Sequence, residues 1–461
     1  MTAPQAALAT RQQFVSSSVR SNTAKRWSVL TMILIVGYLT ATRSFAYLGL
    51  PTLGVPVPLY LGEFALGAFL ILRPGQGVGR WFGGLVRQTP LSAVCWTMYL
   101  FVLFGIFQVA RGLLLEGNDW VIALQNLVFN YYSLFFFLGL WIGEQYPDFL
   151  RRCIRILAWS NGIYGVAWIL VLGAIPLTVP GGRAPLFSQP AGTYVAILGL
   201  MAFEKNLKKV RVPLLLCAFV LLALQIRGGW AAFATGLLTW AIVTKKFGQF
   251  ALGIASVGLL LAVSLVLDLR LPANEHQNRG EISARNITGA AIAPFNEDLA
   301  SRFTDQASRH SGTTEWRKDW WQAIWRSVHD EPVRAFIGHG YGFAIANLVP
   351  FLEGRDDLRT PHSFFMYALA YGGWIGVVLF FSVLFAICRL LWKSYKLTDN
   401  PFGLVFVGTA LGVASFGVFF ETPFGAIPFF LIVGMACAPA VISLENESRS
   451  SQEPAGTRSD A

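Results

Sequence analysis

Few residue types in this chain could do chemistry, and most of them gather in one stretch. A guanidinium presents a planar fork of donors that fits phosphate or carboxylate. An imidazole can accept a proton near neutrality, and a carboxylate inside an apolar run is costly and is usually paired or functional. All five histidines, His276, His310, His329, His339 and His362, lie within or at the end of a segment from about Arg270 to Pro361. That segment also carries ten arginines and one lysine, Lys318, against twelve acidic residues, so it is nearly neutral and does not read as a nucleic-acid patch. For any single arginine there, codon bias explains the choice over lysine as readily as anion recognition does.

Local order narrows the candidates. In Arg359-Thr360-Pro361-His362-Ser363-Phe364, Thr360 suits a helix N-cap and Pro361 the first helical position. His362 would then sit in the first turn, where free N–H groups and the helix dipole favour a neutral imidazole and a bound anion. A neutral imidazole at a helix mouth can act as a base. Upstream, Trp316, Trp320, Trp321, Ile324, Trp325 and Val328 recur at helical spacing, with Arg317, Lys318, Gln322 and Arg326 between them. Thr313 or Thr314 can cap this helix, with Glu315 in its first turn, and its Trp-rich face suits the outer membrane surface or the top of the spans. Ile337-Gly338-His339-Gly340-Tyr341-Gly342 lacks the strand–turn–helix setting of a nucleotide fingerprint and reads as a tight loop close to the membrane face. Two carboxylates stand apart. Glu63 falls inside an apolar run, with Arg43 at the end of the preceding run as its expected structural partner. Glu421, in Phe420-Glu421-Thr422-Pro423, could orient His362 or a bound substrate, or be a solvated turn residue. The cysteines sit in or beside apolar runs, no metal-ligand spacing occurs, and neither a metal nor another cofactor is expected.

The elements that must position these residues are helices in a membrane. Hydrophobic residues make up 54% of the 461 and charged residues 13%, and the excess lies in runs of about 20, long enough to cross a hydrocarbon core. Such runs must be helical to satisfy their own backbone. The expected fold is an all-α integral membrane protein with about twelve transmembrane helices: roughly 27–47, 55–72, 91–110, 121–142, 153–174, 188–203, 211–226, 229–244, 247–268, 363–391, 402–419 and 424–443. An N-terminal tail (1–26) precedes nine helices (27–269), a large outer loop (270–361), three further helices (362–443) and a disordered tail (444–461). With the N-terminus inside, 21 of the 36 basic residues fall in inner segments and four in short outer ones, so both termini are expected in the cytoplasm. The net charge of +11 is then mainly a topology signal.

Trp316-Arg317-Lys318-Asp319-Trp320-Trp321, the Gly338–Gly342 string, Pro361-His362-Ser363-Phe364-Phe365 and Tyr371-Gly372-Gly373-Trp374-Ile375-Gly376 together resemble the signature of the O-antigen ligase superfamily. That superfamily includes lipopolysaccharide O-antigen ligases, polysaccharide polymerases and some protein O-oligosaccharyltransferases. The resemblance is most specific from about Gln225 to Gly376, with Arg227 matching the first family arginine, Arg317 (with Trp321) the second, and His362 the histidine. Ile226 stands where Ser is commoner, and Ser363 where Asn is. The resemblance implies a GT-C-like enzyme at the outer face of a bacterial inner membrane. Its donor would be a glycan on undecaprenyl pyrophosphate and its acceptor a glycan or lipid A-core hydroxyl. Arg227, Arg317 and Arg359 would bind the pyrophosphate, and His362, with Glu421, would be catalytic. Ligase and polymerase are not separable on these motifs. The alternative from another class is a secondary transporter or lipid-linked glycan flippase, which would commonly show internal repeats; none is visible.

Overall fold

In the computed structural model of the chain the described residues are 22–47, 60–87, 89–179, 184–268, 270–271, 282–355 and 358–450. His276, Arg183 and Arg279 lie outside them. The elements are helices α1 (Asn22–Ala46), α2 (Leu61–Leu72), α3 (Val78–Val86), α4 (Ser92–Leu114), α5 (Trp120–Tyr131), α6 (Phe135–Gln145), α7 (Phe149–Leu170), α8 (Thr193–Phe203), α9 (Arg211–Ala223), α10 (Arg227–Thr244) and α11 (Phe247–Val266). There follow a two-residue antiparallel ribbon, β1 (Arg270–Leu271) with β2 (Ile282–Ser283), then α12 (Ala284–Ile292), α13 (Glu297–Ser301), α14 (Ala307–His329), α15 (Pro332–Ile337), α16 (Phe364–Thr398), α17 (Phe402–Phe416) and α18 (Pro423–Ser450).

Every expected apolar segment falls on a helix, but not every helix is long enough to cross a bilayer. Among the described residues six are, by length and apolarity: Asn22–Ala46, Ser92–Leu114, Trp120–Gln145, Phe149–Leu170, Phe364–Thr398 and Pro423–Ser448. Others stop short. Thr193–Phe203 has 11 residues, or about 16 Å at 1.5 Å per residue, against a core of about 30 Å. Pro190 and Gly192 precede it, and the stretch before Thr193 is not helical. Two boundaries also move. The last helix runs to Ser450, past the boundary expected at 444, because Arg80 pairs with Glu445 at 3.0 Å and Lys393 with Glu447 at 3.4 Å. The loop helix α14 begins at Ala307 with Gln306 at its cap, so Thr313 and Thr314 lie inside it rather than at its start.

The core is apolar and continuous. α6 lies along α18, and two glycines set the approach: a Cβ on Gly139 would come 2.1 Å from the Leu431 carbonyl oxygen, and one on Gly434 would come 2.2 Å from that of Phe136. Small residues that let backbones touch are how membrane helices gain packing without a hydrophobic drive. On α14, Trp320, Ile324 and Val328 are fully buried on one face, as their spacing predicts.

The glycine string is bound to the broken part of α16. At Gly373 the backbone leaves the helix (φ 58°, ψ −162°). The Ala370 and Tyr371 carbonyls then accept from His339 N–H at 2.8 Å and Gly340 N–H at 3.2 Å. From the other side the Arg111 guanidinium donates to the Gly338 carbonyl at 2.8 Å, and Gln108 donates to that of Ile337 at 2.7 Å. Gly338 itself has φ 66°, and a Cβ there would lie 2.5 Å from the Tyr371 carbonyl carbon. Gly338→Ala is therefore expected to lower the yield of folded protein and its melting temperature, whereas Gly354→Ala, with nothing nearby, is expected to cost about 1 kcal/mol for its positive φ alone. Equal melting temperatures for the two variants would contradict this account.

Candidate functional site

The site forms where α14 crosses the mouths of α10 and α16. Its residues recur at 313, 316–317 and 320–321, one face of one helix. Thr313 accepts from Arg227 Nη2 at 2.5 Å, which holds the start of α10 against the loop. Arg317 donates through Nη1 to the Phe416 carbonyl at 3.2 Å, and its guanidinium lies 5.5 Å from the centre of the Trp316 ring. Trp316 meets the His362 ring edge-on at 5.7 Å. Trp321 Nε1 donates to the Pro361 carbonyl at 2.6 Å and so fixes the peptide just before His362.

His362 is not in the first turn of α16. The helix starts at Phe364 with Ser363 as its cap residue, and His362 has φ 54°, in the left-handed region. The imidazole is thereby turned out of the helix. No hydrogen bond reaches its ring among the described residues. Burial, then Arg317, then Arg43 push its pKa down to about 4, so it is neutral at physiological pH.

Arg43 owes its place to strain. Thr42 has φ 43° and ψ −113°, an outlying conformation for a β-branched residue, and α1 breaks there. The break is held from outside. Ala191 and Gly192 N–H groups take the freed Leu39 carbonyl at 3.3 and 2.7 Å, Thr42 donates to the Gln189 carbonyl at 3.2 Å, and Ser44 and Ser188 bond each other. Backbone strain maintained by so many contacts is typical of functional sites. It places the Arg43 charge close enough to His362 to lower its pKa. Glu63 accepts instead from the Tyr60 N–H at 2.9 Å and from the Tyr132 and Tyr131 hydroxyls, so the expected Arg43–Glu63 pair does not form.

Arg43, Arg227 and Arg317 form no ion pair among the described residues. Arg227 Nη1 and Arg317 Nε are buried and unbonded. Burial and the nearby Arg227 charge hold the Arg317 guanidinium below its usual pKa. Three other arginines are neutralised: Arg151 and Arg155 both fork onto Glu204 at 2.6–3.1 Å, and Arg80 forks onto Glu144 at 2.6 Å. Unmatched buried guanidinium donors are costly unless an anion completes them. Among the described residues no group of three or more His, Cys, Asp or Glu side chains is placed to hold a metal.

The remaining candidates are held by other contacts. Arg359 lies by Tyr60, Tyr367 and Tyr371, and its carbonyl accepts from the Tyr371 hydroxyl at 3.3 Å. Glu421 is not a solvated turn residue. It is 4% exposed, one oxygen accepts from Phe419 N–H at 3.1 Å, and the other is unbonded. Burial pushes its pKa up to about 7. It makes no hydrogen bond to His362. Arg111 is a structural residue that charge counting reads only as a topology marker, although Gln108, one turn before it, and the buried end of α4 are what hold it.

The fold and site thus define a multi-pass helical membrane protein with an unmatched cluster of guanidinium groups near a neutral, half-buried imidazole. Residues 212–381 match the family model for O-antigen ligase, a segment that takes in Arg227, Arg317, Trp321 and His362 and leaves out Arg43 and Glu421. Over that segment, less than half of the chain, the sequence is similar to the O-antigen ligase family, in agreement with the resemblance of its motifs. A search of the curated proteins gave no match.

Proposed function

We propose that the protein transfers a glycan from a lipid pyrophosphate donor, undecaprenyl-linked, onto a sugar hydroxyl at the outer face of the bacterial inner membrane. The single observation that carries this reading is the pair Arg227 and Arg317, each with a buried, unsatisfied donor, at the helix mouth where His362 lies. Arg227, Arg317 and Arg43 bind the pyrophosphate by charge-assisted bonds. His362 takes the proton of the acceptor hydroxyl as its oxygen attacks the anomeric carbon. The bond from that carbon to the phosphate oxygen breaks, and the electron pair leaves with the pyrophosphate, whose charge the guanidinium groups already oppose. No metal is assigned a role. Glu421, buried and able to hold a proton near neutrality, is a second acceptor close to the same helix mouth. The shorter helices complete about twelve spans with both termini in the cytoplasm.

The test is transfer by the purified protein from a lipid-linked glycan in detergent, with no ion gradient, read by gel shift of the acceptor. Transfer supports the reading. Its absence, together with gradient-dependent movement of the donor across vesicles, would favour a transporter or flippase instead. Reporter fusions at Asn206 and Asn400 should signal cytoplasm and one at Gly354 the outer side; a cytoplasmic signal at Gly354 would place the site on the wrong face.

Trp321 is a positioning residue in this scheme. Trp321→Phe keeps an aromatic ring, smaller than the indole, and removes the donor to Pro361, a hydrogen bond worth about 1–1.5 kcal/mol. The expected result is a fall in kcat of roughly tenfold with the donor KM little changed. A rise in KM alone would show that the bond serves binding rather than the placement of His362.

A further inference from the structure

An open cleft of about 600 Å³ lies between the turn that starts α5 and the segment following the glycine string. That is within the range of about 300–1,000 Å³ typical of small-molecule sites. Asn118, Asp119, Ile122, Phe343, Asn347 and Leu348 line it, and none of the residues assigned above to phosphate or to proton transfer does.

Its chemistry is distinct from that of the arginine cluster. No lysine, arginine or histidine lines it, so it does not suit phosphate. Asp119 is exposed and spends one oxygen on the Ile122 N–H at 2.8 Å, which caps α5 and leaves the second oxygen open to a ligand. Asn347 is likewise exposed. Its carbonyl oxygen accepts from Gly354 N–H at 3.1 Å, which leaves its amide donors without a protein partner among the described residues. Phe343 is held by stacking on His339, with ring centres 4.2 Å apart and planes within 9°. His339 is fixed in turn by Ser327 at 2.6 Å. An acceptor, a donor and a rigid aromatic face together suit a hydroxyl-rich ring with apolar C–H faces.

The cleft is also coupled to the site. Its Ala344–Leu348 wall is tied through the Ile345 carbonyl to Trp320 Nε1 at 2.8 Å. The Trp320 ring lies 6.0 Å from that of Trp316, which meets His362 at 5.7 Å. Two indole rings therefore separate the cleft wall from the imidazole. We propose that the cleft is a subsite for neutral saccharide, several sugar units from the bond that forms, on the glycan of either the donor or the acceptor. This rests on the glycosyl-transfer reading.

The test uses Asp119→Ser, which keeps a capping oxygen, and Asn347→Asp, which keeps the acceptor for Gly354. Each is compared with the wild-type protein, at matched melting temperature, on donors and acceptors carrying one repeat unit or several. The expected result is a KM about fivefold higher, the loss of roughly one hydrogen bond, with kcat unchanged and only for long substrates. An increase confined to long donors assigns the cleft to the donor glycan, and one confined to long acceptors assigns it to the acceptor. Unchanged KM for every long substrate overturns the subsite. Absence of transfer by the wild type with any substrate overturns the underlying reading instead. Independently of the variants, the oligosaccharide released from the lipid donor by mild acid should alter the fluorescence of the wild-type protein, because Trp120 adjoins Asp119 and is 48% exposed. A wild-type protein that does not respond to this oligosaccharide also overturns the proposal.

Discussion

Arg227→Lys and Arg317→Lys are each expected to lose about 30-fold or more in single-turnover transfer, although both keep the charge. The reason is geometric. Arg227 spends Nη2 on Thr313 and keeps Nη1 buried and free, while Arg317 spends Nη1 on Phe416, lies against Trp316 and keeps Nε free. Each guanidinium thus anchors itself with one nitrogen and offers another to an anion. An ammonium is a point charge on a flexible stem and cannot do both at the same positions. Losing one side of a desolvated charged contact costs on the order of 2–5 kcal/mol, which sets the lower bound of about 30-fold. Arg285 and Arg302 are exposed loop arginines and serve as controls, expected to tolerate Lys or Ala with little change. Equal activity of all four lysine variants, at matched folding, would reduce Arg227 and Arg317 to generic positive charge and remove them from the site.

The second large effect is at His362, where Asn is the informative replacement because it accepts a left-handed backbone better than Ala does. His362→Asn is expected to remain folded and to lose about 10²–10⁴-fold in the chemical step, the usual contribution of a positioned base. The pH dependence distinguishes this half-buried histidine from an ordinary one. The base is the neutral imidazole, and its pKa in the free protein is depressed to about 4. Activity as kcat/KM should therefore hold from neutral pH down to the region of pH 5 and fall as pH drops through 4. An unperturbed imidazole would lose it near about 6.5. Bound pyrophosphate offsets the Arg317 and Arg43 charges that help to depress it, so the limb in kcat should lie at higher pH than the limb in kcat/KM. A kcat/KM limb near the unperturbed value would show that the ring is open to water, and near-normal turnover of a folded His362→Asn variant would end its role as base.

Much of the site was legible in the sequence, and the misses have physical causes. Arg227, Arg317, Trp321 and His362 each sit in a local pattern: a short turn, a periodic face, a Pro-marked helix start. The structure brings them together through a single helix, α14. Arg43 could be named but not placed, because nothing in Ala41-Thr42-Arg43 signals a left-handed residue. That conformation is imposed by the distant segment Ser188–Gly192, which supplies the hydrogen bonds the broken helix lacks. Glu63 was matched to an arginine by charge, but buried hydroxyls satisfy a carboxylate equally well, and Tyr131-Tyr132 supply them. The open oxygen of Glu421 and the cleft beside Asp119 depend on chain reversals that periodicity does not encode. Helix boundaries shift for a similar reason: hydropathy measures how long the chain stays apolar, and Pro190 and Gly192 decide where helix begins within that length.

The break at Gly373 bears on how the protein is made. α16 enters its first turns with two carbonyls, Ala370 and Tyr371, whose partners are the N–H groups of His339 and Gly340, and those belong to chain that precedes the helix. A peptide group left unpaired in hydrocarbon costs several kcal/mol. The helix is therefore completed only after the preceding loop has folded back onto it. Folding of α16 is coupled to that of the loop before it, so a chain whose loop cannot fold back should remain an unfinished membrane protein.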